Sequence, residues 1–280
     1  MNFILADIGG TQTRLARATN FSLIKEIKKF PTEKKYSQGI NQLKKEIQAL
    51  SPQKEIQALV LGLPGTFSSN EKNLLQAPNL KDWAKKPLAK SLSNFFNCPV
   101  FLKNDADLAG LGEAIKGAGR NKKIVAYLSL GTGVGGVRIV NQKIDQNTQG
   151  FEPGHQIIKM DGLRWPSCGQ KGCLESFVSG KAFKQKYKIK PENCHHQKIW
   201  EKYAQELTPG IINLSVLWSP QVIILGGGIS QKGQNLIKMI RKNLKKELKI
   251  FKPPLILQNK LGDQAGLYGG LFFLKNRIKK

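Results

Sequence analysis

Cysteine is scarce. Cys98, Cys168, Cys173 and Cys194 are the only four in 280 residues, too few for the disulfide framework of a secreted scaffold. Long apolar runs are missing too: no stretch approaches the ~20 residues that span a bilayer. The start, Met1-Asn2-Phe3-Ile4-Leu5-Ala6-Asp7, carries no basic leader and no small-residue cleavage site, so no signal peptide is expected. Arginine is the third shortage. Of 45 basic residues, seven are arginine, the residue better suited to bidentate phosphate and base contacts. The net charge of +26 therefore reads as a solvated, lysine-rich surface rather than a specific nucleic-acid face. The expectation is a cytoplasmic protein with neither a membrane nor a nucleic-acid partner.

What is present is a chain long enough for one large domain or two ordinary ones. Its hydrophobic content of 40% and charged content of 23% are those of a globular protein. Its most distinctive stretch is Leu128-Ser129-Leu130-Gly131-Thr132-Gly133-Val134-Gly135-Gly136-Val137. Apolar residues lead into and out of a glycine-rich turn. Glycine lets backbone turn tightly and lie against a ligand, and clustered N–H groups suit phosphate oxygens. Taken alone, this is as compatible with an unliganded hairpin.

The stretch has a partner. Phe3-Ile4-Leu5-Ala6 runs into Asp7-Ile8-Gly9-Gly10-Thr11 and returns through Arg14-Leu15-Ala16-Arg17, again strand, glycine turn, strand. Here an aspartate precedes the glycines and could hold Mg²⁺ beside phosphate. The rest of the chain doubles in the same way. A helix is predicted from about 38 to 50, then strand 58–61 ending at Gly62-Leu63-Pro64-Gly65. A helix over 88–97 follows, then strand 100–102, ending at Asn104-Asp105 where another helix opens. The second half has a helix over 199–217 and strand 222–225 ending at Gly226-Gly227-Gly228. A helix over 236–248, strand 255–257 and a last helix after Gly262 complete it. Two such α/β units facing each other would place their glycine loops around one cleft, at the carboxyl ends of strands. After the second glycine hairpin lies an aperiodic insert, 150–180, rich in glycine, proline and cysteine.

These motifs resemble the ROK (repressor, open reading frame, kinase) family of sugar kinases over nearly the whole chain. The matching residues are Asp7-Ile8-Gly9-Gly10-Thr11, Leu63-Pro64-Gly65, Asn79-Leu80 with Trp83, Asn104-Asp105-Ala106, Gly131 to Gly136, Glu152-Pro153-Gly154-His155, Cys168 to Glu175 and Gly226-Gly227-Gly228. The resemblance implies a two-lobed α/β fold of the actin/hexokinase-like (ribonuclease H-like) type, duplicated about a central cleft. The smaller lobe would be 1–104 with a C-terminal helix near 264–280 packed back on it. The larger would be 105–263, holding the insert. Family repressors carry an N-terminal helix-turn-helix domain; the first strand here begins at residue 3, so a kinase is expected.

The resemblance also implies roles. Asp105 is the expected general base, at a helix start where the helix dipole favours the carboxylate; the plain alternative is a helix cap. Gly65, Asn79, Asn104, Asp105, Glu152, His155 and Glu175 form the expected sugar shell. Asp7, Gly9, Gly10, Thr11, Gly131, Thr132 and Gly133 would meet Mg²⁺ and the ATP phosphates, and Gly226, Gly227 and Gly228 the adenosine. The expected activity is ATP-dependent phosphorylation of glucose at its 6-hydroxyl. Fructose and N-acetylmannosamine are alternative substrates, polyphosphate an alternative donor, and a non-catalytic sugar-binding regulator a different class. A homodimer is the expected assembly. The family's zinc motif departs here: Pro166 stands where a further cysteine is usual. His155, Cys168 and Cys173 remain, an incomplete set for structural zinc, so weak zinc binding or none is expected.

Overall fold

A computed structural model describes residues 1–52, 55–68, 73–232 and 234–278. In chain order the first elements are β1 (Phe3–Ile8), β2 (Gln12–Ala18), β3 (Ile24–Pro31), α1 (Tyr36–Leu50), β4 (Ala58–Leu63), β5 (Thr66–Phe67) and β6 (Leu74–Gln76). Then come α2 (Leu88–Phe96), β7 (Val100–Asn104), α3 (Asp105–Ile115), β8 (Ile124–Leu130), β9 (Val134–Val140) and β10 (Lys143–Ile144). The chain continues with α4 (Glu175–Val178), α5 (Gly180–Tyr187), α6 (Gln197–Trp218), β11 (Val222–Gly226), α7 (Gln234–Glu247), β12 (Leu255–Gln258) and α8 (Ala265–Ile278).

The chain divides into two compact units. One comprises Met1–Gly112, Asn147–Gly150 and Asp263–Lys280; the other comprises Glu113–Gln146 and Phe151–Gly262. Each is built on a five-stranded sheet of the same plan. The orders are β3-β2-β1-β4-β7 and β10-β9-β8-β11-β12. In both, the first two strands pair antiparallel through the glycine turn and the inner strands run parallel.

In the first unit, alternation along β1 sorts the two faces. Ile4, Ala6 and Ile8 join Leu59, Leu61 and Leu63 of β4 against Ile40, Leu43 and Ile47 of α1. These helix residues recur at three and four positions, the spacing that makes one apolar face. Trp83, fully buried, lies against Gly39 of α1, where a Cβ would overlap its ring. The opposite sheet face meets α8: Gly270 lies over Leu5 and Val60, and Phe273 packs edge-on against Phe101 at 5.6 Å. α8 also runs close to α3, since a Cβ on Gly112 or Gly269 would strike the facing backbone at Ala265 or Leu108.

In the second unit, Ala126, Leu128, Leu130, Ile223 and Leu225 bury against Tyr203, Leu207, Ile211 and Leu214 of α6 and Ile240 and Leu244 of α7. The repeated order of strands and helices seen in the sequence is the observed one. The strand β3 is an addition to it. Its sequence Ile-Lys-Glu-Ile-Lys-Lys-Phe-Pro alternates poorly because it is a half-exposed edge, held by its ladder to β2, so burial imposes little pattern on it. No helix of the described residues is long and apolar enough to cross a membrane.

Candidate functional site

In the first unit the site begins at the carboxyl ends of three neighbouring strands. Asp7 of β1 stands in register beside Gly62 of β4, and Gly62 beside Lys103 of β7. The turn after β1 is closed by the Gly9 amide donating to the Gln12 carbonyl at 2.9 Å. Gly10 lies against Asn79, so a Cβ there would come within 2.7 Å of the Asn79 Cβ. Asn79 is thus brought to the edge of the turn. The ammonium of Lys34 reaches the Gly10 carbonyl as well, a cation at this turn that no sequence motif marked.

Gly65 and Asn104 also meet: Asn104 Nδ2 donates to the Gly65 carbonyl at 3.1 Å. Gly65 has φ +139, where L side chains are strained, and a Cβ would collide with the Gln76 carbonyl. Asn104 Oδ1 accepts from the amides of Ala106 at 2.8 Å and Asp107 at 3.3 Å. Asn104 therefore caps α3. That answers the plain alternative for Asp105, because its neighbour does the capping. Asp105 Oδ1 takes one further bond from the Ala106 amide, 2.9 Å.

The helix start does not hold Asp105 in the ordinary carboxylate range. Burial pushes its carboxyl up from the ordinary value, and the amide bonds pull it down only in part. Desolvation of the charged form outweighs local dipoles here. Asp7 behaves alike, raised to about 7 by burial, then by the charge of Asp105; the Arg14 guanidinium opposes the shift and Asp263 adds to it. Arg14 faces Asp7 across the hairpin, lies 3.5 Å from its carboxylate and 2.9 Å from Asp263. Lys29 also reaches Asp263, at 3.2 Å. No sequence motif marks Arg14 or Asp263. The available signal for Arg14 was its placement opposite Asp7 in a tight hairpin.

The second unit carries the other predicted residues. The turn Gly131-Thr132-Gly133 closes with the Gly131 amide on the Gly133 carbonyl, 3.0 Å. The Gly180 amide, at the start of α5, donates to the Gly131 carbonyl at 2.8 Å. Gly227, at φ +81, brings the next loop against Leu130, and the Ile229 amide donates to the Leu130 carbonyl at 3.0 Å. Gly226 to Gly228 thus abut the turn, and a Cβ on Gly131 or Gly228 would meet no atom of the described residues beyond its chain neighbours within 4 Å.

The insert folds onto this turn. Gly154 packs against Val134 and Pro153 against Gly136. A bridge between Ile157 and Cys173 draws His155 to the cysteines. Leu174 seats on Gly210 of α6, where a Cβ would lie 2.6 Å from it. This fixes Glu175, which is buried. Glu175 Oε2 accepts from the Val134 amide at 2.8 Å, and Oε1 from Trp165 Nε1 and Ser167 Oγ, each at 2.7 Å. Trp165 and Ser167 were not singled out as partners of this carboxylate, because nothing local marks the pairing. Glu152 Oε2 lies 3.9 Å from His155 Nε2.

The donor atoms of His155, Cys168 and Cys173 all lie within 4.8 Å of one another. The two sulfurs are 3.7 Å apart and both thiols are free. Two thiolates on a tetrahedral zinc would be about 3.8 Å apart, given Zn–S bonds near 2.3 Å. His155 Nδ1 is buried with no hydrogen-bond partner among the described residues. These observations suit three corners of a zinc site. Pro166 offers no fourth donor.

Two glycine-turned α/β sheets of identical order define the actin/hexokinase-like fold. A ROK hexokinase from Thermus thermophilus shares it, with a TM-score of 0.87 at 22% identity over 99% of this chain and 100% of that one. The chain belongs to the ROK family, whose family model matches residues 4–277. It is 28% identical to a glucokinase of Streptomyces coelicolor over 300 aligned positions, 94% of each protein. It is also similar to a ROK family glucokinase from Streptomyces griseus, solved in complex with glucose and AMPPNP. That likeness has a TM-score of 0.82 and 27% identity over 98% of this chain and 99% of that one.

Proposed function

We propose that this protein is an ATP-dependent hexose kinase that phosphorylates the 6-hydroxyl of glucose. The observation that carries the proposal is Asp105: a partly buried carboxyl with its pKa raised by desolvation, next to an asparagine that does the helix capping in its place. A carboxylate held in a poorly solvated site is a stronger base than one in water, which suits proton acceptance from a hydroxyl. In the step, Asp105 takes the hydroxyl proton, the sugar oxygen bonds to the γ-phosphorus, and the bond from that phosphorus to the β–γ bridging oxygen breaks, releasing ADP.

Gly65, Asn79, Asn104, Asp105, Glu152, His155 and Glu175 would be the sugar's polar partners. A sugar lacking the right hydroxyls would leave such polar groups unpaired, which is how they select. ATP phosphates would lie on Gly9, Gly10 and Thr11 and on Gly131, Thr132 and Gly133, with the adenosine beside Gly226, Gly227 and Gly228. Asp7, a partly buried carboxyl with a raised pKa, suits the cation that accompanies ATP; bound Mg²⁺ would supply charge neutralisation there. The relatives' names and the glucose complex of the Streptomyces griseus protein support glucose as acceptor. Zinc at His155, Cys168 and Cys173 would have an exchangeable fourth position and bind weakly.

A coupled assay over a panel of glucose, fructose, mannose and N-acetylmannosamine, with ATP and polyphosphate as donors, tests this. Fastest turnover with glucose and ATP is expected. Sugar binding without turnover in any combination would instead identify a regulator.

A further inference from the structure

Glu175 is a buried acid with no cation on it among the described residues. Its three donors are neutral and come from two places: Trp165 and Ser167 from the insert, and the Val134 amide from the first residue of β9. A carboxylate offers about four acceptor positions. Oε1 has two donors, so its capacity is filled. Oε2 has one donor and one position left. The same Oε2 borders Gly133, where a Cβ would lie 2.7 Å away. The indole is buried too, in a small cluster with Cys173, Ala182 and Cys168, so its N–H has no solvent to fall back on.

We propose that Trp165 and Ser167 are positioning residues that couple sugar occupancy to the Gly131–Gly133 turn. By filling Oε1 they fix the carboxylate plane, which leaves Oε2 to serve the Val134 amide and one sugar hydroxyl together. This rests on the sugar-kinase function proposed above. A hydroxyl arriving on Oε2 completes the acceptor set and immobilises the carboxylate, and with it the amide at the base of the turn. Sugar and nucleotide then tighten each other's binding by the same factor, as linkage requires. The network needs no metal, so it also fastens the insert where the zinc ligand set is incomplete.

The test uses Trp165→Phe, which keeps a ring and removes the N–H, Ser167→Ala, and the two combined, with Ser167→Thr as the variant that keeps the hydroxyl. Circular dichroism confirms that each is folded. Two quantities are read. The first is the ratio of AMPPNP dissociation constants without and with saturating glucose. The second is hydrogen exchange at the Val134 amide. Wild type should show a ratio of about 5 or more, Ser167→Thr should retain most of it, and the combined variant should fall to about 1. Val134 exchange should accelerate by about tenfold or more in the combined variant. A wild-type ratio retained in the folded combined variant overturns the proposal, as does a wild-type ratio of 1 with a sugar that is phosphorylated. If no sugar binds at all, it is the kinase function that has failed. Val134 exchange then decides the anchoring on its own, and unchanged exchange in the combined variant rejects it.

Discussion

The two glycine turns share a backbone and part company in their electrostatics. Asp7 in the first stands in register beside Gly62; the corresponding residue of the second, Ser129, stands beside Gly226. Around Asp7 gather two more carboxylates, Asp105 and Asp263, with Arg14 as the opposing charge. At the second turn the carboxylate of Glu175 is satisfied by an amide, an indole and a hydroxyl. Repetition of the fold has therefore not meant repetition of the chemistry. One turn holds carboxyls in an unfavourable, proton-retaining state. The other is a neutral scaffold whose one acid is held by uncharged donors and ties the insert to the hairpin backbone.

The largest test of that contrast is Asp105→Asn. Loss of the base should lower turnover by about 10³-fold, within the range for general-base catalysis, while AMPPNP still binds. The same substitution removes the cost of a desolvated carboxylate at neutral pH. Unfolding should then move up by roughly 2–4 °C in a thermal scan. Lost stability together with lost activity would mean that the carboxyl is structural.

Next in size is a steric contrast within the second turn. Gly133→Ala places a methyl against Glu175 Oε2 and should destabilise by about 1–3 kcal/mol, as overpacking does. Gly131→Ala meets no protein atom and should leave the unfolding temperature unchanged. Any loss of ATP affinity in Gly131→Ala then reports the ligand itself, measured by calorimetry. A fully unaffected ATP affinity would remove Gly131 from the phosphate site.

The pH dependence separates the two turns more finely. Asp105 and Asp7 have raised pKa values, so both are increasingly protonated as pH falls. Activity should fall on the acid side at a pH well above the ordinary carboxylate range. Folded-state stability runs the opposite way, since a folded state that holds protons more tightly than the unfolded chain gains stability as pH decreases. Arg14→Ala removes the cation that opposes the rise at Asp7 and should move the acid limb of kcat/KM to higher pH by about half a unit or more. Glu175 substitutions should reshape substrate affinity without that displacement. The smallest effect is expected from metal removal: dialysis against a chelator should lower the unfolding temperature by less than about 3 °C, because Trp165, Ser167 and Glu175 hold the insert. A collapse on chelation would show that zinc carries it.

Much of this was legible from the residues. The repeated order of elements follows from apolar runs ended by glycine, where the backbone is free to turn. Asn104-Asp105 and the two glycine turns were visible for the same reason. Residues whose importance lies in a partner far along the chain were not. Arg14 matters through Asp263, and Trp165 through a glutamate whose other oxygen serves a hairpin 41 residues away. Burial hid a second kind of information: a helix start by itself suggests an ionised Asp105, and only the packed interior reverses that direction.

The packing of α8 also has a consequence for synthesis. It covers one face of β1 and β4 and fits Gly269 against α3, so the first unit is assembled from the two extremes of the chain. A ribosome makes β1 before the second unit and α8 after it. Through translation the face bearing Leu5 and Val60 therefore waits without its cover, and the second unit has all its strands before the first is closed. Contacts so distant in sequence are slow to form and leave apolar surface open to wrong partners meanwhile. The half of the molecule that starts first is the half that finishes last.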